Sequence, residues 1–146
     1  MVKYWIIPIT YDNWLVCHNE LVYGFGKSLK DIIKAGDVII FYVMKSRCRY
    51  PDYASCFVDA YEVVTNWFRE DKPLWPEERE VGKALYFYRV RLRLIKSGKV
   101  RVEELVDRLS FIKRKDAWQV YFRGCPANFR KPIPEEDAKL IIESLR

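Results

Sequence analysis

The feature that most constrains the fold is an uninterrupted apolar run of seven residues, Val38 to Met44. A turn signal, Gly36-Asp37, comes directly before it. The run is far shorter than the ~20 apolar residues of a membrane-spanning helix, and its length and composition are typical of a strand covered on both faces. The sequence therefore predicts a sheet with this strand at its centre.

Short elements surround this central strand. Further strands are predicted at residues 3–9, 21–25, 54–64, 88–96 and 118–122, from their β-branched and aromatic content or their alternation. Helices are predicted after a cap at Asp12 or Asn13, at 102–109, and from Pro134, where acidic residues fill the first turn. A long connection spans 65–83. This pattern predicts one α+β domain over residues 1–146: a small mixed, mostly antiparallel β-barrel with peripheral short helices and a C-terminal helix.

Positive charge is concentrated in the second half of the chain. The formal net charge is +6, and the segment 89–123 holds eleven basic residues against four acids. Such a segment is typical of a phosphate-contacting surface, although a merely solubilising surface explains the charge equally well. The predicted phosphate-contacting residues are Lys27, Arg89, Arg91, Arg93, Lys113, Arg114 and Lys115.

Aromatic residues make up 16% of the chain, more than a core of this size needs. Several of them, including Trp14, Tyr23 and Trp75, fall at the ends of predicted elements or in connections. Aromatic rings at the rim of a barrel suit stacking on a splayed-out nucleobase. Ordinary packing remains the alternative for each ring taken singly.

Signatures of catalysis and metal binding are missing from the sequence. There is no P-loop, G-x-S-x-G or H-E-x-x-H motif, and the four cysteines form no C-x-x-C pair. Adjacent carboxylates such as Glu77-Glu78 are interpreted as solvated. We therefore expect no enzyme activity, metal or cofactor; the alternative is an enzyme with Cys17 or Cys125 as nucleophile or Asp71 as base. With no signal-like segment, the protein is expected to be cytoplasmic and not membrane-bound.

An ordered set of short motifs resembles the EVE domain family, in its archaeal-type branch, from about residue 3 to the C-terminus. The motifs are Tyr4-Trp5, Asn13-Trp14, Tyr23-Gly24-Phe25, Lys34-Ala35-Gly36-Asp37 leading into Phe41-Tyr42, Tyr86-Phe87-Tyr88-Arg89, Leu109-Ser110-Phe111-Ile112-Lys113, and Phe129-Arg130 before Pro134-Glu135-Glu136-Asp137. Tyr23 stands where this family usually has a Trp.

The resemblance implies a PUA-like fold, related to the YTH domain that reads methylated adenine in RNA. It also implies a non-catalytic reader of a modified base in DNA or RNA. Separately, we expect the protein to be a monomer or weak dimer. The implied base-binding residues are Asn13, Trp14, Tyr23, Gly24, Ser55, Trp75, Asn128 and Arg130. The aromatic members would stack on the base, the amide and hydroxyl groups would bind its edge, and Arg130 would hold phosphate. A scaffold that captures a protein segment or a small metabolite is the remaining alternative.

Overall fold

The structure, a computed structural model, describes residues 1–122 and 131–146. In chain order the elements are β1 (Tyr4–Ile9), α1 (Tyr11–Glu20), β2 (Val22–Phe25), β3 (Val38–Val43), β4 (Cys56–Val63), β5 (Phe68–Arg69), α2 (Pro76–Val81), β6 (Tyr88–Arg101), α3 (Val102–Leu105) and α4 (Glu135–Ser144). Two 3₁₀ helices, Val106–Arg108 and Lys115–Phe122, lie between α3 and α4. Among these residues no helix is both long and apolar enough to cross a membrane.

The strands form one curled sheet in the order β1-β3-β4-β6-β2, with the short β5 paired to β6. Strands β1 and β3 run parallel, and the other neighbours run antiparallel. All six residues of β3 are buried, which confirms the prediction of a central strand. The architecture is a mixed α+β half-barrel with short helices and a C-terminal helix, as the sequence predicts.

The sheet separates two apolar clusters because side chains alternate along each strand. On one face, Ile39 and Phe41 of β3 pack with α1, β2 and Trp75. On the other face, Ile40 and Tyr42 pack with α3, the 3₁₀ helices and α4. The first of these two faces carries the candidate site.

Strand β6 is longer than predicted, and it joins β4 to β2 and β5 in the curled sheet. It runs to Arg101, pairing with β2 and β5 near its start and with β4 over the rest. The β4–β6 register shifts on both sides of Ala60, next to Asp59, whose φ is 58°. Bulges of this kind bend a strand and increase its twist.

Two local predictions were wrong. The N-cap of α1 is Thr10, whose hydroxyl oxygen accepts a hydrogen bond from the Asn13 N–H at 3.4 Å, rather than Asp12 or Asn13. The segment predicted as a strand at 118–122 belongs to the 3₁₀ helix Lys115–Phe122. Trp118 and Phe122 are both buried there, with ring centroids 6.1 Å apart.

Candidate functional site

A cavity of about 220 Å³ opens where the end of β1, the start of α1 and strand β2 meet the connection before β6. Four predicted base-binding residues line it: Asn13, Tyr23, Gly24 and Trp75. These residues come from three separate parts of the sequence. The volume lies below the ~300–1,000 Å³ of pockets for drug-sized ligands, so the cavity suits a group no larger than a single base.

Tyr23 is fixed in the cavity wall by its neighbours in the sheet. It lies opposite Val90 of β6. Its ring centroid lies 5.9 Å from that of Phe41 and 6.3 Å from that of Trp67. The ring is thus held by a central strand on one side and by the 65–83 connection on another.

Gly24 makes room for the indole of Trp75. A Cβ atom built on Gly24 would lie 2.7 Å from the Cη2 atom of Trp75 and 2.7 Å from the Tyr86 carbonyl oxygen. Any larger residue therefore forces the ring or the backbone to move. At this position glycine permits close packing between β2 and the indole.

Substituting Gly24 with alanine is expected to displace the Trp75 ring and destabilise the fold by about 1–3 kcal/mol through overpacking. Thermal unfolding followed by circular dichroism measures the loss. The matched control is Gly26→Ala, two residues along, where the added Cβ meets its nearest atom at 3.5 Å. Equal unfolding temperatures for the two variants would contradict this role of Gly24.

Two further contacts, a hydrogen bond and a ring contact, fix Trp75 in addition to its packing against Gly24. Its Nε1–H donates to the Asn13 carbonyl oxygen at 3.2 Å, and its ring meets Tyr86 edge-on at 5.5 Å between centroids. Only 2% of the residue is exposed. The Trp75 ring is therefore a rigid part of the cavity wall.

Glu78, which is fully buried, organises the backbone on both sides of the cavity. Its carboxylate accepts hydrogen bonds from four backbone N–H groups, those of Leu74, Trp75, Leu85 and Tyr86, at 2.6–3.2 Å. Burial raises the pKa of Glu78, but these donors lower it by more, so that the pKa lies below its ordinary value. One carboxylate thus ties the Trp75 segment to the Tyr86 segment.

Arg89 is fully buried behind this wall, which corrects its prediction as a phosphate contact. Its guanidinium lies 2.7 Å from a carboxylate oxygen of Glu70 and 3.3 Å from one of Glu78, and it donates to the Tyr86 carbonyl oxygen at 3.0 Å. The guanidinium carbon also lies 5.2 Å from the centre of the Trp75 ring. Arg89 therefore supports Trp75 from behind and does not face solvent.

Asn13 and Glu77 form the polar part of the wall. The Asn13 Nδ2 donates to the Glu77 Oε1 at 3.0 Å. The other carboxylate oxygen, Oε2, is buried and has no hydrogen-bond donor among the described residues.

Two residues predicted for the pocket lie elsewhere. Trp14 is buried on another side of α1, where its ring packs against Tyr11, His18 and Tyr53 at centroid distances of 5.0–5.6 Å. Ser55 precedes β4, and its backbone is bonded to Val43 and Val102. Neither residue lines the cavity. Asn128 and Arg130 lie outside the described residues.

The predicted basic residues do not converge on one surface. Lys27, Arg91, Arg93, Lys113 and Arg114 are exposed. Arg91 and Arg93 of β6 neighbour Glu70 and Glu62, whereas Lys113 lines a second cavity with residues of the opposite apolar cluster. The Lys115 ammonium is occupied, since it donates to the carbonyl oxygens of Val106 and Leu109. Lys27, which follows β2, is the predicted cation nearest in sequence to the cavity wall.

The described residues do not support the catalytic alternative. Cys17 is fully buried, and burial raises the pKa of its thiol to about 12, so the thiolate needed for nucleophilic attack is not formed near neutral pH. Asp71 is exposed on the surface beside Arg69. His18 contacts Asp59 and Tyr61 through Nδ1 and has no cysteine partner among these contacts. Cys125 lies outside the described residues.

Among the residues that shape the cavity, the sequence analysis missed Glu77 and Tyr86, which line it, and Glu78, which bonds the backbone behind it. The interpretation of Glu77-Glu78 as a solvated pair was wrong. A signal for Glu78 was present, because it stands three residues after Trp75, the N-cap of α2, with Pro76 at the first helical position. A carboxylate at that spacing commonly bonds the N-cap backbone.

The sequence of this chain is similar to that of several known proteins. The sequence profile of the EVE domain matches residues 3–144. A UPF0310 protein of Saccharolobus solfataricus is 36% identical over 145 residues, covering 99% of this chain and 96% of the relative. A UPF0310 protein of Pyrococcus horikoshii is 32% identical over 144 residues, covering 96% of this chain and 97% of the relative.

A solved structure shares the fold at low sequence identity. It is the YTH domain of the Zygosaccharomyces rouxii MRB1 protein in complex with N6-methyladenosine RNA. The two chains superpose with a TM-score of 0.61 at 14% identity, covering 97% of this chain and 85% of that chain. The half-barrel described above is therefore of the YTH type.

Proposed function

The chain belongs to the EVE domain family, and from that premise we propose that it is a non-catalytic nucleic-acid-binding domain that reads a modified base. The base enters the cavity lined by Asn13, Tyr23, Gly24 and Trp75. The observation that carries the proposal is this convergence: residues distant in sequence, two of them aromatic, meet at one cavity of the size of a base.

The wall of the cavity is built to keep its shape, which favours binding. Glu78 accepts a buried hydrogen bond from the Trp75 backbone N–H, and Arg89, which is bonded to Glu78, lies over the Trp75 ring. A rigid wall lowers the entropy cost of ordering the site around a ligand. Extruding a base from a duplex costs a few kcal/mol, and each base–ring stack contributes about 1–3 kcal/mol, so contacts with Tyr23 and Trp75 can offset extrusion.

The shared fold supports the same class of ligand. The Zygosaccharomyces rouxii YTH domain was solved with N6-methyladenosine RNA, and its backbone arrangement resembles that of this chain. The exposed cations Lys27, Arg91 and Arg93 provide sequence-independent attraction for phosphate. The proposal extends to either DNA or RNA as the nucleic acid.

A binding panel tests the proposed function. Short single- and double-stranded oligonucleotides, DNA and RNA, with and without N6-methyladenine, 5-methylcytosine or 5-hydroxymethylcytosine, are titrated by fluorescence anisotropy at several salt concentrations. We expect at least one modified strand to bind tenfold or more tightly than its unmodified partner, with affinity falling as salt rises.

Two results of the panel would contradict the proposal. Equal affinity for all strands would indicate only a nonspecific basic surface. Absence of binding at low salt would favour a scaffold that captures a protein segment or metabolite. As a site control, Tyr23→Ala is expected to reduce the preference for the modified base, whereas Lys113→Ala, on the opposite face of the sheet, is expected to leave that preference unchanged.

A further inference from the structure

His18 lines a separate cavity of about 210 Å³, between α1, β4 and β6, that the proposed function does not use. Among the described residues, this cavity and the base cavity share no lining residue. The His18 ring packs on that of Trp14 at 5.0 Å between centroids, yet its side chain is 37% exposed. The imidazole is therefore fixed on one side and accessible on another.

A buried carboxylate holds one nitrogen of this imidazole. The Asp59 Oδ2 lies 3.0 Å from the His18 Nδ1 and accepts from the Tyr61 hydroxyl at 2.6 Å. The other oxygen, Oδ1, accepts from the Ser97 hydroxyl at 3.1 Å and from the Gly98 N–H at 3.0 Å. Because a carboxylate only accepts, the hydrogen is assigned to Nδ1, and Nε2 is the ring nitrogen that can reach a ligand.

Asp59 contacts His18 because β4 bulges at this point. Val58 and Tyr61 belong to the apolar cluster on the α1 face, and Ala60 belongs to the opposite cluster. The extra residue of the bulge, Asp59, thus comes to lie on the side of α1, with a φ of 58° in the left-handed region. Strained positions of this kind persist where surrounding contacts hold them, and they cluster at ligand sites.

Two cations complete the rim of the cavity, Lys99 of β6 and Arg146 after α4. Gly98 brings them together, since its φ is 142° and a Cβ there would lie 2.6 Å from the Arg146 N atom. The backbone N–H groups of Lys99 and Arg146 each donate to the other's carbonyl oxygen at 3.4 Å. The carboxylate of Asp59 is buried and bonded to its own donors. The accessible charge of the lining is therefore positive, which favours an anion.

We propose that this cavity binds a terminal phosphate group, held by His18 together with Lys99 and Arg146, and that His18 takes up a proton from solvent as the phosphate binds. With both ring nitrogens protonated, one donates to Asp59 and the other to the phosphate. Hydrogen bonds between ionised donors and phosphate are among the strong ones. A terminal phosphate, with three unbridged oxygens, matches three converging donors. This site goes beyond the proposed function and does not depend on it.

The groups around His18 determine the sign of the pH dependence. They are Cys17 of α1, Tyr53 of the loop before β4, Asp59 and Tyr61 of β4, Lys99 of β6, and Arg146. Burial raises the pKa of Cys17 to about 12, and burial with the bond to Asp59 raises the pKa of Tyr61, so neither thiol nor phenol ionises near neutral pH. Histidine ordinarily titrates between pH 5 and 8. Anion affinity is therefore expected to fall as pH rises through this range.

Isothermal titration calorimetry with inorganic phosphate tests the site. We expect His18→Gln and Lys99→Gln each to bind phosphate about tenfold or more weakly than the wild type, because each loses a charged donor. The matched control is Lys96→Gln in the same strand. Lys96 does not line the cavity, and its ammonium donates to the Glu143 carbonyl oxygen at 3.2 Å. Thermal unfolding shows that each variant is folded.

Two further arms address the proton and the source of the phosphate. Sulfate keeps its charge between about pH 5.5 and 8, so its affinity for the wild type is expected to fall about tenfold across this range, and in His18→Gln to stay constant. One oligonucleotide, with and without a 5′-terminal phosphate, identifies the source. A preference for the phosphorylated strand that needs His18 assigns the site to strand ends, whereas binding of inorganic phosphate without that preference assigns it to free phosphate.

Three results would overturn the inference. They are absence of phosphate and sulfate binding at millimolar concentrations, equal weakening in Lys99→Gln and Lys96→Gln, and a wild-type sulfate affinity that does not change with pH. The preference for a modified base is expected to be the same in His18→Gln as in the wild type. A failure of the phosphate site is therefore distinguishable from a failure of the proposed function.

Discussion

Replacing Glu78 with glutamine is expected to lower the free energy of unfolding by about 3–5 kcal/mol. The neutral side chain leaves the buried Arg89 with Glu70 as its remaining ionic partner. It also turns an amide N–H₂ toward backbone N–H donors that now bond a carboxylate. Urea denaturation followed by tryptophan fluorescence measures the loss, and Glu80→Gln in the same helix serves as the matched control.

The sign of the pH dependence follows from the lowered pKa of Glu78. The ordinary pKa of a glutamate is 4.5. As the pH falls through this value, Glu78 becomes protonated in the unfolded chain while it is still ionised in the folded chain. The stabilisation by Glu78 is therefore complete above pH 4.5 and is lost as pH falls toward the lower pKa of the folded state. The stability gap between wild type and Glu78→Gln is expected to be constant near neutral pH and to narrow in acid. A gap that widens in acid would contradict this role.

The central architecture could be predicted from the sequence because it depends on local pattern. The continuous apolar run gives a strand buried on both faces, and Pro134 followed by acidic residues begins α4. The 115–122 segment was not predictable in the same way. Its aromatic and β-branched composition favours a strand. In the structure, however, Trp118 and Phe122 pack in one cluster with residues of α4 and β3, and the segment is helical. Tertiary packing overrides propensity at such a segment.

In the site too, local motifs predicted some residue positions, whereas packing by segments distant in the sequence determined others. The motif resemblance grouped Tyr23, Gly24 and Trp75, and all three line the cavity. It also grouped Asn13 with Trp14, but successive residues on a helix point about 100° apart, so only Asn13 reaches the cavity. Arg89 alternates with apolar residues as an exposed cation does, yet α2 and the segment before it cover the start of β6. The pattern of residues within β6 gives no sign that these segments lie over Arg89.

Truncating Trp75 to alanine is expected to weaken binding of a modified oligonucleotide tenfold or more, about 1.4 kcal/mol or above. Because the side chain is buried, the same change is expected to cost about 3–5 kcal/mol of stability. Binding is therefore measured by anisotropy at a temperature where circular dichroism shows the variant to be folded. Trp75→Phe, which keeps an aromatic face but is smaller and loses the bond to the Asn13 carbonyl oxygen, is expected to retain most of the affinity.

The matched control separates the loss of a stacking surface from the loss of stability. Trp118 is buried to a similar extent but lies in the apolar cluster on the opposite face of the sheet. Trp118→Ala is therefore expected to reduce stability by a comparable amount and to leave the affinity of the folded protein unchanged. If both alanine variants lose affinity equally, the effect comes from general destabilisation, and Trp75 has no direct part in holding the base.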